Sequence, residues 1–277
     1  MLVARHDAVN ALEGAPMDPQ DPGIRSGVAG GNGNLGSGDA SVRTPPDEMD
    51  ERYEELRRAR PYGRKCTVVV FGAAGRSGSC ITREAAARGH EVIAVARSVD
   101  QLTDVPIGVR AVAGDVTDPQ VVRGLAQSAD ALVIAVGGRN PQLYRDAVAA
   151  VITVARELGA HAPRIIHQGG GASLLSDDGT RYYDSPDYPN DFRPHAIGQI
   201  DALEAYRATE DVTWTYLSPP PVFFSPGQRT GRYRTGLEHP VVGDDGQARI
   251  SYEDFAIALV DEIEDPRHLN RRFTVGY

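Results

Sequence analysis

Thr67-Val68-Val69-Val70-Phe71-Gly72-Ala73-Ala74-Gly75-Arg76-Ser77-Gly78 is the stretch on which the fold turns. Its first five residues are β-branched or aromatic and uncharged, the texture of a strand buried on both faces. Three glycines follow in G-x-x-G-x-x-G spacing. A helical pattern then runs from about Ser77 to Arg88, with Gly89 where a helix ends on a residue in left-handed conformation. Glycines between a strand and a helix permit a tight reversal, close backbone approach to a pyrophosphate and close helix–strand packing. The helix start adds unpaired N–H donors for the anion. The first gap is one residue longer than in the common dinucleotide fingerprint, but the strand–turn–helix setting is the same. Gly72, Gly75, Arg76, Ser77 and Gly78 are therefore read as the pyrophosphate-binding residues.

Outward from this loop, apolar runs alternate with amphipathic stretches, the pattern of parallel strands joined by helices. Further strands are expected at Glu91 to Ala96, about Val109 to Ala113, Ala131 to Val136, Arg164 to His167, Val212 to Leu217 and Phe273 to Val275. Asp118-Pro119 and Asn140-Pro141 each pair an N-cap residue with proline at the first helical position, and the second opens a helix reaching about Leu158. Helices are also expected from about His195 to Arg207 and from Ser251 to about Glu264, the latter with Ser251 and Asp254 in capping-box spacing. This predicts an α/β Rossmann-type fold, a doubly wound parallel sheet with a small C-terminal elaboration on the substrate side, over residues 63–277. Residues 1–62 read as a disordered tail. Met1 to Pro46 is rich in Gly, Pro, Asp, Ser and Asn without one aromatic residue, too little apolar surface to offset about 1–2 kcal/mol per residue of ordering. Within the tail, Glu48 to Arg60 has Met49, Tyr53 and Leu56 on one helical face and reads as a short helix.

Composition excludes several functions. A net charge of −9 without a basic stripe disfavours nucleic acid and anionic membrane surfaces. No apolar run approaches the roughly 20 residues that span a bilayer, and no signal-type apolar segment follows Met1, so a cytoplasmic protein is expected. Cys66 and Cys80 read as free thiols and cannot form a cysteine metal site. The scattered histidines and carboxylates show no metal-ligand spacing. Of the 29 basic residues, Lys65 is the sole lysine, so any chemistry that needs a lysine must use it.

The ends of later strands refine the ligand. Arg97-Ser98 closes the second strand, and no acid stands between Ala94 and Ser98. An acid there would bind a ribose 2′-hydroxyl, whereas an arginine suits a 2′-phosphate. NADPH is favoured over NADH. Asp115 and Val116 after the third strand are placed at the adenine, with Asp115 equally suited to stabilising a turn. Gly137-Gly138 after the fourth strand are placed beside the nicotinamide ribose.

Through Gly72-x-x-Gly75-x-x-Gly78, Gly114-Asp115-Val116 and Gly137-Gly138, the chain resembles the atypical short-chain dehydrogenase/reductase superfamily. Within it, Gly169-Gly170-Gly171-Ala172-Ser173-Leu174, Trp214 to Pro219 and Arg249 to Ala256 are similar to the NAD(P)H-flavin reductase group related to biliverdin reductase B. The resemblance spans about Cys66 to Tyr277 and implies bound NAD(P)H and flavin-like acceptors. One departure bears on mechanism. No tyrosine has a lysine four residues on: Tyr183 is followed by Asp187, Tyr188 by Phe192 and Tyr206 by Glu210. The superfamily's usual Tyr/Lys proton relay is thus missing, which argues against carbonyl-reducing or nucleotide-sugar epimerase chemistry. Where related enzymes present Thr-Ser after strand five, this chain has Gly169-Gly170, leaving Ser173 as the nearest hydroxyl. Hydride transfer to an oxidised flavin or quinone needs no strong positioned acid, so stacking and orientation would suffice. Tyr182, Tyr183, Tyr188 and Phe192 are read as an aromatic lid over that small-molecule acceptor, or equally as aromatics that pin a surface loop. His167 and His195 are candidate proton donors alongside Ser173. A non-catalytic NAD(P)-binding redox sensor of the NmrA-like kind is the alternative reading. Oligomeric state is not legible.

Overall fold

The computed structural model describes residues 65–277. The predicted tail over 1–62 and its helix at 48–60 lie outside the described residues. Strand β1 (Thr67–Phe71) leads through the glycine turn into α1 (Arg76–Ala87), β2 (Glu91–Ala96) and β3 (Arg110–Ala113). Then come α2 (Pro119–Ala126), β4 (Ala131–Ile134), α3 (Pro141–Leu158), β5 (Arg164–Gln168), α4 (Arg193–Arg207) and β6 (Trp214–Ser218). The C-terminal part adds β7 (Phe223–Ser225), β8 (Arg234–Gly236), β9 (Arg249–Ser251), α5 (Tyr252–Glu264) and β10 (Arg271–Gly276).

Eight strands form one sheet in the order β3-β2-β1-β4-β5-β6-β10-β8. Every pairing is parallel except that of β8 with β10. The order reverses between β1 and β4, and such sheets bind ligands outside the carboxyl ends of the strands at that switch point. Register is set there by Val70, which lies between Ala94 of β2 and Val133 of β4.

Side chains alternate across each strand, so β1 serves two cores. Val68 and Val70 pack with Ile81 and Ala85 of α1 and with Phe255, Leu259 and Val260 of α5. Val69 and Phe71 pack with Val122 of α2, Val148 and Val151 of α3, and Leu203 of α4. Burial on both faces explains why these strands read as unbroken apolar runs.

The predicted helices and central strands are present, with shifted ends. Strand β6 begins at Trp214, not Val212, and β4 stops at Ile134, two residues short of Val136, because the chain leaves the sheet towards the exposed Gly137. Helix α4 starts at Arg193 with Pro194 in its first turn, two residues before His195. Ser251 caps α5 by accepting from Asp254 N–H at 3.0 Å, but the box does not close. The fully buried Asp254 carboxylate instead accepts from Thr230 N–H and Gly231 N–H, both at 2.9 Å, and ties the Gly227–Gly231 turn to the helix. In the C-terminal elaboration, β10 and β8 extend the main sheet, and β7 with β9 forms a two-stranded parallel sheet. Among the described residues no helix is long and apolar enough to cross a membrane. Cys66 and Cys80 are buried and, among the described residues, neither is in a disulfide.

Candidate nucleotide crevice and its rim

The glycine turn is fixed by backbone bonds. Gly72 N–H and Ala73 N–H both donate to the Val95 carbonyl, at 3.0 and 3.2 Å, and Gly75 N–H donates to the Gly72 carbonyl at 2.9 Å. Gly72 holds φ +83°, and a Cβ there would sit 2.4 Å from the Ala135 carbonyl oxygen of the β4 exit. Gly78 lets α1 descend onto the turn, since a Cβ would stand 2.1 Å from the Gly72 oxygen. Gly75 differs. Its Cβ would meet the Gly72 oxygen at 3.1 Å and otherwise face open space.

Gly75 is also the N-cap of α1, where no side chain caps the helix and no acid occupies the first turn. Helices α2, α3 and α5 all carry side-chain caps, from Asp118, Asn140 and Ser251. A helix start without a cap, next to a glycine whose missing side chain leaves a gap, is the arrangement that takes a phosphate. The residues present therefore fit a dinucleotide pyrophosphate. Ser77 is buried and donates from Oγ to Gln168 Oε1 at 2.7 Å, which ties the turn to the end of β5, while Arg76 is exposed.

At the β2 and β3 ends, Ala96 pairs with Ala113, so Arg97 and Gly114-Asp115 leave the sheet side by side. Arg97 is exposed and has no ion pair among the described residues. Ser98 Oγ accepts from Asp100 N–H at 3.4 Å and starts a short 3-10 turn. Asp115 Oδ1 accepts from Thr117 N–H at 2.9 Å and from Thr117 Oγ1 at 2.8 Å, so one carboxylate oxygen stabilises the turn. Val116 is buried beneath it.

Beyond β4, Gly137 and Gly138 are exposed, and Gly138 is gripped by Tyr144 of α3, which in turn meets His195 of α4. The other two candidate proton donors are elsewhere. His167 is wholly buried, stacked on Tyr216 with ring centroids 5.2 Å apart, and its Nδ1 and Nε2 face Tyr206 Oη and Gln199 Oε1 at 3.2 and 3.3 Å. Burial lowers its pKa to about 4. With both nitrogens occupied it has no route to a substrate. Ser173 is buried as well, and its Oγ accepts from Arg272 Nη1 at 3.2 Å. The glycines before it are packing devices: a Cβ at Gly169 would stand 1.9 Å from the Tyr216 ring, and one at Gly171 would stand 2.6 Å from the Pro219 carbonyl oxygen.

The aromatic segment is held down from inside. Arg193 lies over Tyr183 and Tyr188, 5.0 and 5.6 Å from their centroids, and the two rings are 5.6 Å apart. One side of this pair is thus used in cation–π contact with the start of α4. Tyr182 is half-buried in its own 3-10 turn, and Phe192 stands at the N-cap position of α4. After the three prolines at the β6 exit, Val222 and Phe223 are exposed apolar side chains. Sequence reading missed this pair, and it also missed Tyr144 and Gln168. Val222 and Phe223 stand directly after the three prolines, a visible signal. Tyr144 and Gln168 have none, because their partners lie 51 and 91 residues away.

A family model described as NAD(P)H-binding matches residues 72–266. The uncharacterised protein YwnB of Bacillus subtilis (strain 168) is 35% identical over 213 residues, which is 74% of this chain and 96% of YwnB. Among solved structures, a candidate exported protein from Burkholderia pseudomallei is 33% identical with a TM-score of 0.68, covering 76% of this chain and 100% of that one. A candidate NADH-flavin reductase from Streptococcus pneumoniae TIGR4 is 30% identical with a TM-score of 0.67, covering 76% and 99%.

Proposed function

The chain belongs to the NAD(P)H-binding family, and from that premise we propose that it is an NADPH-dependent oxidoreductase acting on a flavin- or quinone-like aromatic acceptor, without a Tyr/Lys proton relay. The observation that carries this reading is the combination of the open Gly75 helix start with the exposed Arg97, which has no ion pair among the described residues. The first receives a pyrophosphate, and the second offers a planar fork to a ribose 2′-phosphate. Gly137 and Gly138 leave room at the nicotinamide ribose, and the second oxygen of Asp115 is left to receive the adenine amino group. Bound NADPH supplies the hydride. The acceptor ring is received between the Tyr183–Tyr188 segment and the apolar Val222–Phe223 wall, which orients it and excludes water. The resemblance to a candidate NADH-flavin reductase supports this class of acceptor.

The test is anaerobic oxidation of NADPH, and separately NADH, with and without FMN or a quinone. Saturable acceptor-dependent turnover with a preference for NADPH is the expected result. Arg97→Ala should weaken NADPH binding by roughly 10- to 100-fold, the worth of one charge-assisted phosphate contact, and leave NADH unchanged. An unchanged preference refutes the role of Arg97. Tight nucleotide binding with no turnover of any acceptor makes the protein a redox sensor instead.

A further inference from the structure

Tyr144 and His195 meet at the exit of β4, and we propose that His195 Nε2 is the proton-exchanging atom of the crevice, with Tyr144 as the positioning residue that fixes the imidazole tautomer. The proposal rests on the hydride-transfer reading above and assigns the proton that accompanies the reduction.

Its basis is a small closed set of hydrogen bonds. Tyr144 Oη is 2.8 Å from Gly138 N, 2.9 Å from the Gly138 carbonyl oxygen and 2.5 Å from His195 Nδ1. The same carbonyl oxygen lies 3.4 Å from Nδ1. The amide can only donate and the carbonyl can only accept, so the phenol has one proton to place. If it goes to the carbonyl, Nδ1 must carry a hydrogen and donate to the phenol oxygen, and every group is satisfied. If it goes to Nδ1, the carbonyl receives no proton from this cluster. The first arrangement satisfies every group within the protein, without calling on solvent at the exposed Gly138 carbonyl, and it is the one the proposal takes. The imidazole is then protonated at Nδ1, and Nε2 is the nitrogen that titrates.

Among the described residues the hydrogen bonds of His195 are made by Nδ1, and the side chain is half-buried, so the proposal gives Nε2 to the crevice. Two further features hold the pair. Gly198, three residues after His195, brings α4 against α3: a Cβ there would stand 2.4 Å from Tyr144 Cδ2 and 2.9 Å from Pro141 Cα. The Tyr144 and His195 rings also meet edge to face at 5.4 Å. Among the described residues no charged side chain touches the imidazole, and Tyr144 is the titratable group that faces it. Burial lowers the His195 pKa against the Gly138 carbonyl, and burial pushes Tyr144 up to about 12, so the phenol keeps its proton throughout.

An acceptor that has gained a hydride carries a new electron pair on a nitrogen or oxygen. The Nε2–H bond of the imidazolium breaks with its electrons staying on the ring, and an N–H or O–H bond forms on the acceptor. Nδ1 keeps its hydrogen, and the ring regains a proton at Nε2 from water. His195 thus takes the place of an acid that the missing lysine would otherwise have assisted.

The test has two arms. In the nucleotide-free protein, long-range 15N–1H correlation of the histidine side chains should show His195 as the Nδ1–H tautomer, and Tyr144→Phe should shift it towards Nε2–H. In turnover, His195→Gln should lower kcat roughly 100-fold, as loss of a general acid does. It should also abolish the fall in rate with rising pH that titrates below an ordinary histidine, with NADPH affinity within about twofold of the original. A wild-type Nε2–H tautomer overturns the positioning role, even where flavin reduction is found. A His195→Gln enzyme with unchanged rate and pH profile overturns the proton role. If no acceptor turns over at all, the oxidoreductase reading and the proton role fail together, and the tautomer measurement decides the Tyr144 assignment by itself.

Discussion

Alanine at Gly75 and alanine at Gly78 place the same methyl group in two different surroundings. At Gly75 the backbone is at φ −74° and ψ 164°, a conformation any residue adopts, and the new Cβ has one close neighbour, the Gly72 oxygen at 3.1 Å. Loss of unfolded-chain entropy favours the substitution by about 0.4–1 kcal/mol, and the weaker N-cap with its tight contact opposes it by a similar amount. Stability should stay within about 1 kcal/mol of the parent. The methyl group, however, fills the gap before the α1 N-terminus and separates the phosphate from its donors. One lost charge-assisted bond is worth about 1.5–3 kcal/mol, or roughly 10- to 100-fold in Kd. At Gly78 the Cβ falls 2.1 Å from the Gly72 oxygen, so α1 must lift off the turn. Such overpacking costs roughly 1–3 kcal/mol or more, a fall in Tm of about 3–10 °C for a domain of this size. Titration calorimetry with NADPH and thermal unfolding of both variants separate the two effects. A Gly75→Ala protein that binds NADPH as tightly as the parent refutes the phosphate reading of the turn, and a Gly78→Ala protein of unchanged Tm refutes the packing argument.

The buried His167 makes stability fall in mild acid. Its folded pKa of about 4 lies below the unfolded value near 6.5, so the unfolded chain takes up the proton first. About 3 kcal/mol should be lost as pH falls from 6.5 to 4. Denaturant titrations at pH 7 and pH 5 should show a shallower decline in His167→Gln, and parallel declines would contradict the burial argument. Glu238→Ala strands the Arg272 guanidinium, which is 2% exposed and bonded to that carboxylate and to Ser173. Because the Glu238 side chain is 42% exposed and water can enter where it stood, a loss of about 1–3 kcal/mol is expected, a few degrees in Tm, with the Arg272→Met/Glu238→Leu pair losing less; equal losses would show that the ion pair is not the cause.

How far the sequence reaches is clearest at the site itself. The Gly72–Gly78 turn, the Arg97 strand end and the caps at Asp118, Asn140 and Ser251 are readable because each depends on residues within a few positions of one another. His195 is readable as a candidate proton donor at the start of an expected helix. His167 looked equivalent on the same grounds, at the end of a central strand. Nothing local distinguishes a histidine that opens on a crevice from one stacked on Tyr216 and facing Gln199 and Tyr206. Ser173 was likewise the nearest hydroxyl in sequence, but the buried Arg272, 99 residues on, takes it.

The aromatic segment divides in the same way. Its tyrosines are visible in the sequence, but Arg193 reaches over two of them only because α4 starts at that residue in the fold.

By itself, then, the sequence determined the strand–turn–helix order, the doubly wound α/β fold and the glycine turn, because periodicity and turn chemistry are encoded locally. Tertiary structure decided which polar groups face the crevice and which are sealed, because those outcomes depend on pairings across the sheet. Tyr144 meets His195 across 51 residues and Ser77 meets Gln168 across 91. Such contacts arise when parallel strands bring distant helix starts and strand ends to one edge, and no window of sequence contains both partners.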